Sequence, residues 1–143
     1  MIRVVLDTNI VVSALIKQGS IPEAVFNISI GHPKVQLCLT KDIADEYKTV
    51  LSYGKFKKYL RQDSIEQALQ AIKQAATMIK PRSAGIPKLP DPDDEKFLAC
   101  AIAARASYLI TGNTKHFPQP SFGRTRIITP REFYDEMFEH LAA

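Results

Sequence analysis

Apolar residues along this chain follow two rhythms. Four short runs, several rich in β-branched residues, IRVVL at 2–6, VQLCL at 35–39, YLIT at 108–111 and RIIT at 126–129, have the length and bounding turns of strands. Between them lie segments of helical length and spacing. IVVSALIK at 10–17 follows the turn DTN, and KDIADEYKTVLS at 41–52 follows Thr40, a plausible N-cap. DSIEQALQAIKQAATMIK at 63–80 sets Ile65, Ala68, Leu69, Ile72, Ala76 and Ile79 on one face, with Asp63/Glu66 or Ser64/Gln67 as a capping box. DDEKFLACAIAARA at 93–106 predicts a further helix, and TPREFYDEMFEHL at 129–141 a last one, with Thr129, Pro130 and Glu132 at N-cap, N1 and N3. Strands alternating with helices predict an α/β fold with a central, mainly parallel sheet covered on both faces.

A chain of 143 residues fits one compact domain, so a single domain over 1–143 is expected, the four prolines between Pro81 and Pro92 forming an extended connection within it. No apolar run approaches the roughly 20 residues of a membrane span, and Asp7 interrupts the first run too early for a secretory signal. A cytoplasmic protein is the expectation. Cys38 and Cys100 sit inside apolar runs without a CxxC partner, which suits buried thiols rather than metal or redox chemistry. The net charge of +4 is unevenly spread: residues 47–62 hold five basic side chains and no acidic one, leaving the remainder near −1.

In open parallel sheets, ligands bind beyond the carboxyl ends of the strands, so acids at strand ends and helix starts carry the most information. Asp7 ends the first strand, with Thr8 and Asn9 beside it in the turn; a helix-capping role is the competing reading. At about 100° per residue, Glu46 borders the face formed by Ile43, Tyr47, Val50 and Leu51. Asp94 lies one turn before the face of Phe97, Leu98, Ala101 and Ile102, where a carboxylate must be desolvated and so requires a cation or several donors. Asp91 can reach the same place from the loop. Gathered at one sheet edge, these acids suit a hard cation such as Mg²⁺ or Mn²⁺.

Four separated motifs, VVLDTNIVVSAL, IADEYKTVL, DPDDEKFLACAIAARASYLITGN and IITPREF, occur in an order that resembles a PIN domain of the single-domain prokaryotic kind, over essentially the whole chain. The resemblance implies a three-layer α/β/α fold. It further implies a metal-dependent endoribonuclease hydrolysing RNA phosphodiester bonds with Mg²⁺ or Mn²⁺, acting as the toxin of a toxin–antitoxin pair with a cognate antitoxin protein, and a homodimer. Matched motif by motif, Asp7, Glu46 and Asp94 become catalytic metal ligands with Asp91 assisting, while Thr8, Asn9 and Thr111 orient them. The family's fourth acidic position, after TG, is here Asn113. An amide keeps an oxygen acceptor and loses a charge, which disfavours a second cation; an Asn chosen for a turn with positive φ is the competing reading. The contrasting functional expectation is a catalytically weak RNA- or partner-binding module on the same fold.

The segment from Tyr53 to Arg61 interleaves Lys55, Lys57, Lys58 and Arg61 with Tyr53, Phe56 and Tyr59, a composition suited to phosphate contacts and base stacking on single-stranded RNA. The same spacing also fits a helix pair with its aromatics on the core. His116, three positions after Asn113, reads as a surface-loop residue, with a metal or phosphate contact as the competing reading.

Overall fold

The computed structural model describes residues 1–81 and 85–142; residues 82–84 of the proline-rich connection lie outside the described residues. The chain runs β1 (Ile2–Leu6), α1 (Thr8–Ile16), α2 (Ile21–Gly31), β2 (Val35–Leu39), α3 (Lys41–Leu51), α4 (Gln62–Ala75), β3 (Thr77–Met78), α5 (Glu95–Ala104), β4 (Tyr108–Ile110), β5 (Ser121–Phe122), β6 (Thr125–Ile128) and α6 (Pro130–Ala142). The strands form one six-stranded sheet in the order β3-β2-β1-β4-β6-β5. Every pairing is parallel except the β5–β6 hairpin, which turns through Gly123 at φ 57°. Helix α5 packs across β1, β2 and β4, while α2 packs with α1, α6 and β2, giving the α/β/α layering. Covered on both faces, the central strands are apolar without alternation: Val4, Val5, Leu6, Leu37, Cys38, Leu109 and Ile110 are all fully buried. Each such large side chain contributes roughly 2 kcal/mol through the area it removes from water.

Two caps form as their sequences predict. Thr40 Oγ1 accepts from the Ile43 amide at 3.3 Å. At α6, Thr129 Oγ1 accepts from the Glu132 amide at 3.1 Å while Glu132 Oε1 accepts from the Thr129 amide at 3.0 Å. Other expectations are corrected. The helix predicted over 63–80 begins at Gln62 without a side-chain cap and stops at Ala75. Thr77 and Met78 instead pair with β2, and the Ile79 amide donates to the Leu39 carbonyl at 2.8 Å. The free edge of β2 offers these residues backbone partners, and Pro81 bars the helix from continuing. Helix α2, capped by Ser20 and led by Pro22, and the two-residue strand β5 are elements that the apolar rhythm did not separate. Among the described residues no helix is long and apolar enough to cross a membrane.

Candidate active site

The sheet order reverses direction between β1 and β4, which makes the carboxyl ends of these two strands the crevice of the fold. Leu6 stands opposite Ile110 in the register, so the next residues, Asp7 and Thr111, emerge side by side. The Asp7 amide donates to the Ile110 carbonyl at 3.0 Å, extending the ladder by one bond. The fully buried Thr111 donates its hydroxyl to Asp7 Oδ2 at 2.7 Å and accepts from the Asn113 amide at 3.0 Å. Asp7 occupies the N-cap position of α1, yet its side chain makes no capping bond there. The hydroxyl of Thr111, rather than the start of α1, is the stronger partner of this carboxylate.

Glu46 reaches the same crevice because α3 is pinned to β1. The buried Tyr47 hydroxyl donates to the Leu6 carbonyl at 2.5 Å, one residue before Asp7. Thr8 donates its hydroxyl to Glu46 Oε2, and Lys96 Nζ lies 2.6 Å from Glu46 Oε1. Burial pulls the Lys96 ammonium down, but the bond and charge of Glu46, with Asp93 and Asp42 farther off, hold it above its usual range.

Asp94 ends the 3₁₀ turn Pro92–Asp94 that leads into α5. It is 9% exposed, and its Oδ2 is buried without a hydrogen-bond partner. The nearest cationic candidate is His116, whose Nδ1 lies 3.3 Å from that oxygen outside hydrogen-bond geometry. His116 is a surface-loop residue, its side chain 44% exposed, that lies beside Asp94. Asp91 is exposed and its Oδ1 accepts from the Asp93 amide at 3.0 Å, so it caps the turn instead of entering the crevice. Its charge is nevertheless felt at Asp94. Asn113 has φ −119°, which removes the positive-φ explanation for an Asn here. Its side-chain amide makes no hydrogen bond among the described residues. Asn9 is exposed and bears on Asp7 through its backbone amide.

Asp7 and Asp94 share an electrostatic problem. Burial pushes both carboxyls up; Glu46 adds to this at Asp7, and Asp7 and Asp91 add to it at Asp94. The Thr111 hydroxyl and the Thr8 and Asn9 amides oppose the rise at Asp7, and His116 opposes it at Asp94. Two repelling carboxyls with an orphaned buried oxygen fit an oxygen-seeking divalent cation. Among the described residues no group of three His, Cys, Asp or Glu side chains is arranged to hold a metal. Glu46, the natural third, is occupied by Thr8 and Lys96.

Lys96 is the polar residue that sequence reasoning missed. It lies off the apolar stripe of α5 and reads as an ordinary surface cation; only the packing of α3 against α5 brings it to Glu46.

The basic segment is a 3₁₀ turn, Gly54–Phe56, followed by further turns, so the helix-pair reading is corrected. Tyr53 and Tyr59 are 46% and 59% exposed, and of the three aromatics Phe56 is the one that packs on the core, beside the buried Leu60. Lys55 lies over the Phe56 ring and Lys58 over the Tyr59 ring, at 5.2 and 5.8 Å, while Arg61 pairs with Asp63 at 3.4 Å. Lys57 is exposed. Tyr53 also lines a groove of about 380 Å³ together with Glu46 and Lys96.

The family model described as PIN domain matches residues 3–115. An uncharacterized protein of Methanocaldococcus jannaschii, MJ1680, is 28% identical over 144 aligned positions, covering 94% of this chain and 91% of that protein.

Proposed function

The chain belongs to the PIN domain family, whose members are generally metal-dependent nucleases, and on that premise we propose that it is a Mg²⁺- or Mn²⁺-dependent endoribonuclease acting as one domain over residues 1–143. The observation that carries this reading is the pair Asp7 and Asp94, two buried carboxyls that are costly to ionise, Asp7 adding to the cost at Asp94, whose Oδ2 accepts no hydrogen bond and has His116 Nδ1 3.3 Å away. Asp7 and Asp94 would hold the cation, with Glu46 joining them and Asn113 contributing a neutral acceptor in place of a fourth charge. When bound, such a cation supplies acidification of a water and neutralisation of charge on the phosphate. Thr111 fixes the Asp7 carboxylate, and Thr8 fixes Glu46. Lys55, Lys57, Lys58 and Arg61 would hold the RNA backbone while Tyr53 and Phe56 take bases, although Phe56 has less of its ring to offer than Tyr53.

The second reading, an RNA- or partner-binding module without catalysis, draws on the engagement of Glu46 by Lys96 and on Asn113. Both readings meet one experiment. Single-stranded and structured RNAs incubated with the protein in Mn²⁺, Mg²⁺ or EDTA should be cut only with the cation. Asp7→Asn and Asp94→Asn should slow cutting by about a hundredfold or more, the scale of losing a group that stabilises transition-state charge. Cleavage that survives EDTA, or is equal in the variants, rules out the metal nuclease; RNA binding without cleavage favours the module. In the cell the proposal extends to a toxin whose growth arrest is relieved by a cognate antitoxin protein, and to a homodimer.

A further inference from the structure

The groove between the crevice and Tyr53 carries the wrong sign for RNA. Asp42, Asp45 and Glu46 line it, and among its lining residues Lys96 is the one cation. A phosphodiester passing from the basic segment to Asp7 and Asp94 crosses these carboxylates, and Lys96 is the group there that can meet it with opposite charge. Lys96 is already engaged, with Nζ 2.6 Å from Glu46 Oε1 and its side chain 29% exposed. Both Glu46 oxygens are thereby engaged, one by Thr8 and one by Lys96, while its charge is felt at Asp7.

We propose that Lys96 is a phosphate-binding residue that, without RNA, holds Glu46 away from the cation, so that a phosphodiester arriving on Lys96 releases Glu46 to join Asp7 and Asp94. This rests on the ribonuclease reading. The exchange leaves no charge unpaired: the ammonium trades a carboxylate for a phosphate, and the carboxylate trades an ammonium for the cation. Breaking a partly buried pair without such replacements would leave a desolvated charge alone. RNA and cation then assist each other, and linkage makes the assistance mutual.

The test uses Lys96→Met and Lys96→Arg, with Lys96→Gln replacing the Met variant should its circular-dichroism melt show a folding defect. Calorimetric titration with Mn²⁺ alone should show Lys96→Met binding about tenfold tighter than the wild type, the scale on which a neighbour of a ligand alters metal affinity. Binding of single-stranded RNA in EDTA should weaken about fivefold in Lys96→Met, as for one lost phosphate contact, and recover in Lys96→Arg. The half-saturating Mn²⁺ concentration for cleavage should fall as RNA is raised in the wild type and stay constant in Lys96→Met. Unchanged Mn²⁺ affinity or unchanged RNA affinity in Lys96→Met overturns the inference while leaving the ribonuclease reading intact. A wild type that neither binds Mn²⁺ nor cuts RNA overturns both.

Discussion

Asp7 is a carboxyl whose ionisation burial makes costly to the fold. Its place was legible because a β-branched run ends in an acid and the turn DTN follows; its partner Thr111 was legible as the end of a second such run. The contact of Lys96 with Glu46 was not, since the two residues are 50 positions apart and nothing local to either records the other. A carboxyl held above its ordinary value of 3.8 favours the folded state while protonated, and that advantage is lost as pH rises through the raised value. Without divalent cations, the wild type should therefore lose stability from about pH 3.8 upward on account of Asp7 and Asp94. Asp7→Asn keeps an acceptor for the Thr111 hydroxyl, removes one carboxyl and relieves the other. It should be more stable than wild type at neutral pH in EDTA by about 1 kcal/mol, the usual gain when a functional strain is removed, and the advantage should vanish toward pH 3. Denaturant melts across pH measure both effects, and a variant less stable at neutral pH would show that the Asp7 charge is already compensated.

At the scale of elements, packing decided what local rhythm could not. Ala76 and Ile79 continue the helical spacing of α4, yet the unpaired edge of β2 captures residues 77–79 as extended chain. Strand β5 is two residues long, too short for alternation to register. The ends of α3 and α6 were readable because capping chemistry is local. What sets α3 against the sheet is Tyr47, whose hydroxyl is the buried partner of the Leu6 carbonyl. Tyr47→Phe keeps the ring and leaves that carbonyl unpaired, so the fold should lose about 1–3 kcal/mol. Because Glu46 adjoins Tyr47 and Leu6 adjoins Asp7, the same change should loosen the spacing of the two acids and lower Mn²⁺ affinity. Equilibrium unfolding and calorimetry on one preparation separate the two consequences; stability lost with unchanged Mn²⁺ affinity would mean that Thr8 and Lys96 position Glu46 without help from Tyr47.

Across the whole molecule, charge is unevenly divided. Residues 47–62 contribute +5 and the rest of the chain about −1, so the protein presents a basic loop beside an acidic crevice instead of a uniformly basic surface. The imbalance was visible in the sequence, but the exposure of Tyr53 and Tyr59 was not, because their spacing fits a buried face equally well. Within the loop the four cations are unequal: Lys55 and Lys58 lie over exposed or half-exposed rings, whereas Arg61 has a carboxylate partner in Asp63. Replacing Lys55, Lys57 and Lys58 together by Ala should lower the slope of log affinity against log salt for single-stranded RNA by about 2, at roughly 0.7 per phosphate contact. Fluorescence anisotropy in EDTA measures this without cleavage, and the melting temperature should hardly move because none of the three side chains is buried. Arg61→Ala should alter the slope less than any single lysine, since Asp63 already offsets much of its charge. A salt slope unchanged by the triple substitution would move RNA binding off this loop.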